Sequence, residues 1–307
     1  MRKYRTAPAF KMALDAHLTQ QARQAGVPIQ RVRKAVLFER LLVRMHIAAP
    51  DRWLLKGALA LDYRFGARAR ATNDMDLARA DDVASATADL MAAAAHDLGD
   101  YFTFTVQQTD RLAALEDAVA MRYHVRADLT GRIFEQATLD IGFVPREHWQ
   151  IESIAIPNLL AFAEFDPITI PVLPLATHVA EKLHAYMRGY GDGTRRSTRE
   201  KDLVDLVLIA GFCPFDAQVL RAALEETFAV RGKQPLPTAM PPPPSGWGPG
   251  YRKLASSVGI DPEVSHGYAR TAAFLDPVLA TESLESRWDQ VVQRWVVDRV
   301  PKLSDTH

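Results

Sequence analysis

Apolar positions recur at helical spacing over residues 9–25 and 28–48, the second stretch opening after Pro28 with Ile29, Val32, Val36, Leu37, Arg40 and Leu41 near that spacing. The segment LLKGALALDYRF (54–65) reads as a short helix entered through a Lys-Gly turn. After a polar loop, DMDLA alternates carboxylate and apolar residues as a strand does. An Ala-rich helix is expected over 82–98, followed by strands at 101–106, 118–129 and 138–144. The middle strand alternates cleanly: Val119, Met121, Tyr123, Val125, Ala127 and Leu129 share one face, and Arg122, His124, Arg126 and Asp128 the other. The first half of the chain is therefore mixed α and β.

The pattern changes after Pro157. DPITIPVLPLA (166–176) reads as an extended connector punctuated by proline. Helical spacing follows at 176–190 and 198–210, with the Gly-rich basic segment GYGDGTRRS between them. A further helix is expected at 216–229, a proline-rich loop at 234–250, and helices at 251–258, 264–279 and 283–299. The expected fold class is α+β, with a mixed-sheet domain over 1–157 and an all-helical domain over 158–307.

Composition narrows the class. The 307 residues are 48% hydrophobic and 24% charged, enough to bury a full core, which excludes a disordered chain. A single cysteine, Cys213, excludes an internal disulfide framework and a Cys-rich zinc site. No stretch is apolar enough to span a membrane, and the basic start lacks a signal-peptide core, so a cytoplasmic protein is expected. The formal net charge of zero hides a segregation. Residues 1–56 hold twelve Lys and Arg against three acids, leaving that segment at +9 and the remainder at −9, whereas residues 74–128 hold eleven acids and four arginines. Such an asymmetry fits a face for a polyanion, and it fits solvated helix faces equally well.

The strongest chemical signal is Asp74-Met75-Asp76. Residues two apart in a strand project to the same face, so both carboxylates point together. Two acids so placed repel unless a cation lies between them, and oxygen-only donors favour magnesium or manganese. Asp140, between Leu139 and Ile141, follows the same pattern; if its strand lies beside the first, three carboxylates meet. Just upstream, Lys56-Gly57-Ala58 opens a helix whose free N–H groups suit phosphate.

The stretch LLKGALALDYRFGARARATNDMDLA resembles the signature of the AbiEii-type toxins, a branch of the nucleotidyltransferase superfamily. Lys56 and Gly57 match its Lys-Gly-Gly opening, with Ala58 at the second glycine, and Arg70, Thr72, Asp74 and Asp76 fall on its Arg-x-Ser/Thr-x-Asp-x-Asp motif. Two further motifs are similar: Glu181-Lys182-Leu183-His184-Ala185, and Lys201-Asp202-Leu203-Val204-Asp205. The resemblance implies a nucleotidyltransferase-like mixed sheet and a helical domain that completes an active-site cleft. It implies that Lys56, Gly57, Ala58, Arg70, Thr72, Lys182 and Asp205 bind the nucleotide triphosphate. Asp74, Asp76 and Asp140 would hold magnesium or manganese, Asp140 taking a second ion or activating the acceptor hydroxyl. Lys182 and Asp202 would complete the catalytic set.

The implied reaction is transfer of a nucleoside monophosphate to an acceptor such as the 3′ end of a tRNA. The outcome would be a block of translation and growth, the setting phage defence, and the partner a cognate antitoxin. A related fold transfers a γ-phosphoryl group with the same residues, so a kinase stays open, as does a non-catalytic RNA-binding protein. Other candidates are weaker. GYGDG (189–193) has no strand before it, and His46, His96, His124, His178 and His184 show no metal-ligand spacing. The basic cluster Arg188, Arg195, Arg196, Arg199 and Lys201 suits phosphate or a solvated loop.

Overall fold

Two helices open the chain, α1 (Ala7–Ala25) and α2 (Ile29–Ala48). The Thr6 hydroxyl caps α1 by accepting from the Ala9 N–H, and Phe10, Leu14, Leu18 and Ala22 form its buried stripe. The computed structural model describes residues 3–111, 120–187, 199–232, 234–281 and 285–297. These fall into two compact units, Met1–Pro174 and Leu175–His307.

In the first unit the elements continue as β1 (Leu54–Lys56), α3 (Gly57–Phe65), β2 (Asp74–Arg79), α4 (Val83–Ala95), β3 (Phe102–Arg111), β4 (Ala120–Leu129), β5 (Arg132–Phe143), β6 (Glu152–Ala155) and β7 (Thr169–Val172). They build one mixed seven-stranded sheet in the order β3-β4-β5-β2-β1-β7-β6. β2 runs parallel to β5, and β1 parallel to β7; the other neighbours are antiparallel. The alternation expected for β4 is realised. Met121, Tyr123, Val125, Ala127 and Leu129 lie in the core with Val36, Leu37 and Leu41 of α2, while His124 and Arg126 are exposed. Val119 lies outside the described residues. Each fully buried aliphatic or aromatic side chain contributes about 1.5–3 kcal/mol, so this core is the main source of the unit's cohesion.

Within that core, Arg40 and Arg44 converge on Asp100. Arg40 Nε donates at 2.8 Å, and the Arg44 guanidinium donates to both carboxylate oxygens at 2.9 and 2.7 Å. Burial alone would push the Asp100 carboxyl up, but the two guanidinium groups outweigh it and hold the group below its ordinary range.

The units divide between Pro174 and Leu175, later than residue 157, where the change of pattern was placed. The cause is β7. Thr169–Val172, inside the segment read as a connector, pairs with β6 and, through Val172, with Leu55 of β1. Its Pro171 pairs with Ser153 of the edge strand β6.

The second unit holds α5 (Leu175–Met187), α6 (Glu200–Phe212), β8 (Phe215–Asp216), α7 (Ala217–Arg231), α8 (Gly248–Ser257), α9 (Val264–Leu279), β9 (Ser286–Asp289) and β10 (Arg294–Val297). It is mainly helical but not wholly so: β10-β9-β8 form a small sheet. The stretch 283–299, expected as a helix, is a hairpin where described. Trp288 is buried against Phe274 with ring centroids 5.0 Å apart, and its indole N–H donates to the Ala210 carbonyl at 2.7 Å. Trp295 stacks on the same Phe274. Aromatic and β-branched residues anchored in this way favour strands over a weak helical spacing.

Candidate active site

The site in the first unit is assembled at the junction of β1, α3, β2 and β5. Lys56 ends β1 and precedes the first turn of α3, and Gly57 follows with φ +68°. A Cβ on Gly57 would stand 1.9 Å from Asp76 Oδ2, so glycine is required twice over, by the backbone and by the carboxylate pressed against it. Ala58 is buried just behind. The N–H groups of a helix's first turn lack helical partners, and their dipole favours the nearby carboxylate or a phosphate.

Strand register does the rest. Asp76 stands opposite Lys56 on β1 and opposite Asp140 on β5, and Asp74 stands opposite Thr138. Met75 between them and Leu77 after them are fully buried, which turns both carboxylates to the other face, Asp74 exposed and Asp76 partly so. The Lys56 ammonium lies 4.0 Å from where a Cβ on Gly142 would stand, two residues beyond Asp140. Thr72 shapes the approach to β2: its hydroxyl donates to the Asp74 carbonyl at 3.0 Å and accepts from the Asp74 N–H at 3.3 Å. Arg70 is partly buried on the preceding loop.

The sequence reading missed Arg122. It stands opposite Asp140 on β4, and its Nε and Nη2 donate to the two carboxylate oxygens at 2.8 and 2.7 Å. That bidentate bond comes first in holding the guanidinium above its ordinary range, with further help from the charges of Asp140, Asp74 and Asp76. Asp140 is thus paired with an arginine. Among the described residues no group of three or more His, Cys, Asp or Glu side chains is placed to hold a metal ion. The signal available beforehand was parity: Arg122 shares the outward face of β4, but only the register brings it to Asp140.

In the second unit, α6 carries Asp202 and Asp205 three residues apart, hence on one side of the helix. Lys182 of α5 donates to Asp202 Oδ1 at 2.8 Å and reaches Asp205 Oδ2 at 2.7 Å. All three are buried, and Arg199 approaches Asp202 Oδ2 at 3.4 Å. The lysine expected to present its charge to a nucleotide is held between two carboxylates. Glu181, beside it in the motif, pairs with Arg231 of α7 at 2.7 Å. Of the basic cluster, Arg199 lies against Asp202 and Lys201 is exposed, whereas Arg188, Arg195 and Arg196 lie outside the described residues.

Residues 40–294 match the family described as "Nucleotidyl transferase AbiEii toxin, Type IV TA system". The chain belongs to this family. It is a nucleotidyltransferase toxin, with an NTP as substrate and an antitoxin as partner. Its fold is similar to that of MenT4, a nucleotidyltransferase toxin from Mycobacterium tuberculosis H37Rv: TM-score 0.51, 21% identity, 86% of this chain and 98% of that one covered. JHP933 from Helicobacter pylori aligns with TM-score 0.45 and 15% identity over 80% of this chain and 94% of that one. No curated protein matches the sequence.

For a toxin of this family, the basic opening segment is less of a surface than its composition suggests. Arg40 and Arg44 are buried on Asp100, Arg31 pairs with Asp62 at 2.6 Å, and Arg52 pairs with Asp89 at 2.8 Å. Among the described residues no helix is long and apolar enough to cross a membrane.

Proposed function

We propose that this toxin transfers a nucleoside monophosphate from an NTP to the 3′-terminal hydroxyl of a tRNA and thereby blocks translation. The observation that carries this reading is the strand register that sets Asp76 between Lys56 and Asp140, against the Gly57 turn that opens α3. Asp74 and Asp76 fit a magnesium or manganese ion. They supply oxygen donors only, and such ions commonly take one or two carboxylates and complete their shell with water and substrate phosphate. The ion supplies charge stabilisation on the triphosphate.

The chain's own groups then orient the reaction. The N–H groups that open α3 and the Lys56 ammonium receive phosphate oxygens, and Thr72 holds the backbone that aims Asp74. Arg70 joins the nucleotide contacts from its loop. The acceptor oxygen bonds to the α-phosphorus, the bond from that phosphorus to the bridging oxygen breaks, and pyrophosphate leaves while the hydroxyl proton passes to a base. In the second unit, Lys182 and Asp202 fall on the family's two further motifs, and by that likeness Lys182 is the candidate for a triphosphate contact and Asp202 for the catalytic set. The family match, which spans all these residues, supports those roles.

The test is incubation with tRNA, magnesium and each NTP, labelled at the α- or the γ-phosphate. α-label at the tRNA 3′ end is expected, and Asp76→Ala should reduce it by at least about 100-fold with the fold intact. γ-label on protein would make the reaction a phosphoryl transfer. Absence of label with every nucleotide, together with unaffected growth on expression, would remove both enzymatic readings in favour of RNA binding alone.

A further inference from the structure

We infer that Arg122 occupies the place of a second cation, so that the site takes one divalent ion, on Asp74 and Asp76, while Asp140 serves the guanidinium and not a metal. The inference rests on the metal-dependent reading above and deepens it.

Three observations converge. Arg122, Asp140 and Asp76 occupy successive register positions across β4, β5 and β2, so the guanidinium approaches the carboxylates from the far side of Asp140. Both Asp140 oxygens accept from Arg122, at 2.8 and 2.7 Å, so an ion at Asp140 would have to share each oxygen with a fixed positive charge. Asp140 does not group with Asp74 and Asp76 as a three-carboxylate metal site.

Charge counting agrees. Lys56 stands opposite Asp76 and Arg122 holds Asp140, so part of the carboxylates' charge is met by the chain before nucleotide arrives. A second divalent ion would add two positive charges beside a fixed guanidinium. Guanidinium is well suited to this place: planar, always charged and matched to a carboxylate's two oxygens. It supplies a permanent charge where other arrangements of three carboxylates would recruit an ion from solution. Arg122 is therefore a positioning residue that sets metal stoichiometry.

The experiment counts ions directly. Bound Mn²⁺ per chain is measured by electron paramagnetic resonance with a saturating α,β-methylene NTP analogue, in wild type, Arg122→Met, Arg122→Lys, Asp140→Asn and the Arg122→Met/Asp140→Asn double variant. Thermal melts report on folding. Wild type should bind one ion, Arg122→Met two, Arg122→Lys one, and the double variant one. Asp140→Asn alone should keep one ion with Mn²⁺ affinity within about threefold, since it removes no ligand. Two ions in wild type, one in folded Arg122→Met, or an affinity loss of about tenfold or more in Asp140→Asn would each overturn the inference while leaving the metal-dependent reading in place. If Arg122→Met does not fold, the wild-type count and Asp140→Asn still decide it. Absence of any Mn²⁺ on wild type in the presence of bound nucleotide would overturn both.

Discussion

The two units each hold a cluster of aspartates, and the clusters are built on opposite principles. In the first, Asp74, Asp76 and Asp140 lie along one face of a sheet, partly open to solvent, with Arg122 committed to Asp140. In the second, Asp202 and Asp205 are 2% and 1% exposed and share the Lys182 ammonium, with Arg199 beside them. A buried carboxylate must have its neutralising charge supplied by the chain, because water cannot supply it. A carboxylate at the surface can be left short of positive charge and take it from an ion or a ligand. The first cluster is therefore arranged to receive charge, and the second to hold it in place.

The contrast is broken most directly at Lys182. Lys182→Met removes the ammonium that two buried carboxylates share, and an unfolding free energy lower by about 3–5 kcal/mol is expected in denaturant melts. Asp74→Asn, on the open face, should change the same melt by less than about 1 kcal/mol. Equal effects of the two would erase the distinction between the clusters.

A smaller effect is expected from Gly57→Ala. The added methyl would collide with Asp76 Oδ2 at a backbone angle that disfavours it, shifting the carboxylate. A displacement of about 1 Å costs about 100-fold in transfer rate, so kcat should fall by that order while nucleotide binding changes less. A rate within about threefold of wild type would mean that Asp76 need not sit against the turn.

The last comparison concerns a buried acid without a full counter-charge. Burial pushes Glu39 up from 4.5 to about 7, against the opposing pull of the Leu159 N–H and Arg40. Between those values the folded chain keeps a proton that the unfolded chain has released, so this group's contribution to stability falls as pH rises through that window and stays low above it. Glu39→Gln removes the dependence: it should stabilise by roughly 3 kcal/mol at about pH 8 and by little at about pH 4.5. Urea melts at the two pH values give the comparison, and a pH-independent difference would exclude burial of the charge as the source.

Much of this was legible in the residues. The alternation of β4 named its buried face, and the Asp-x-Asp strand placed two carboxylates together, because strand geometry has a fixed period of two. Asp140 was flagged by the same pattern. The reading went astray where long-range packing decided the outcome. Thr169–Val172 became a strand because β1 and β6 offered it partners. Residues 286–289 and 294–297 became a hairpin because Trp288 and Trp295 found Phe274. The positive opening segment lost part of its apparent surface charge because Arg40 and Arg44 turn inward to an aspartate about sixty residues away in sequence.

Local order of residues was enough to specify which positions bear charge, which face of each strand is apolar and which motif the chain carries, since these follow from backbone periods a few residues long. The partner of each charge was decided only in three dimensions. Arg122 for Asp140, Lys182 for Asp202 and Asp205, and Arg44 for Asp100 are pairings between elements brought together by sheet register and helix packing. Electrostatic energy depends on that distance and on burial, and neither is written in the order of residues.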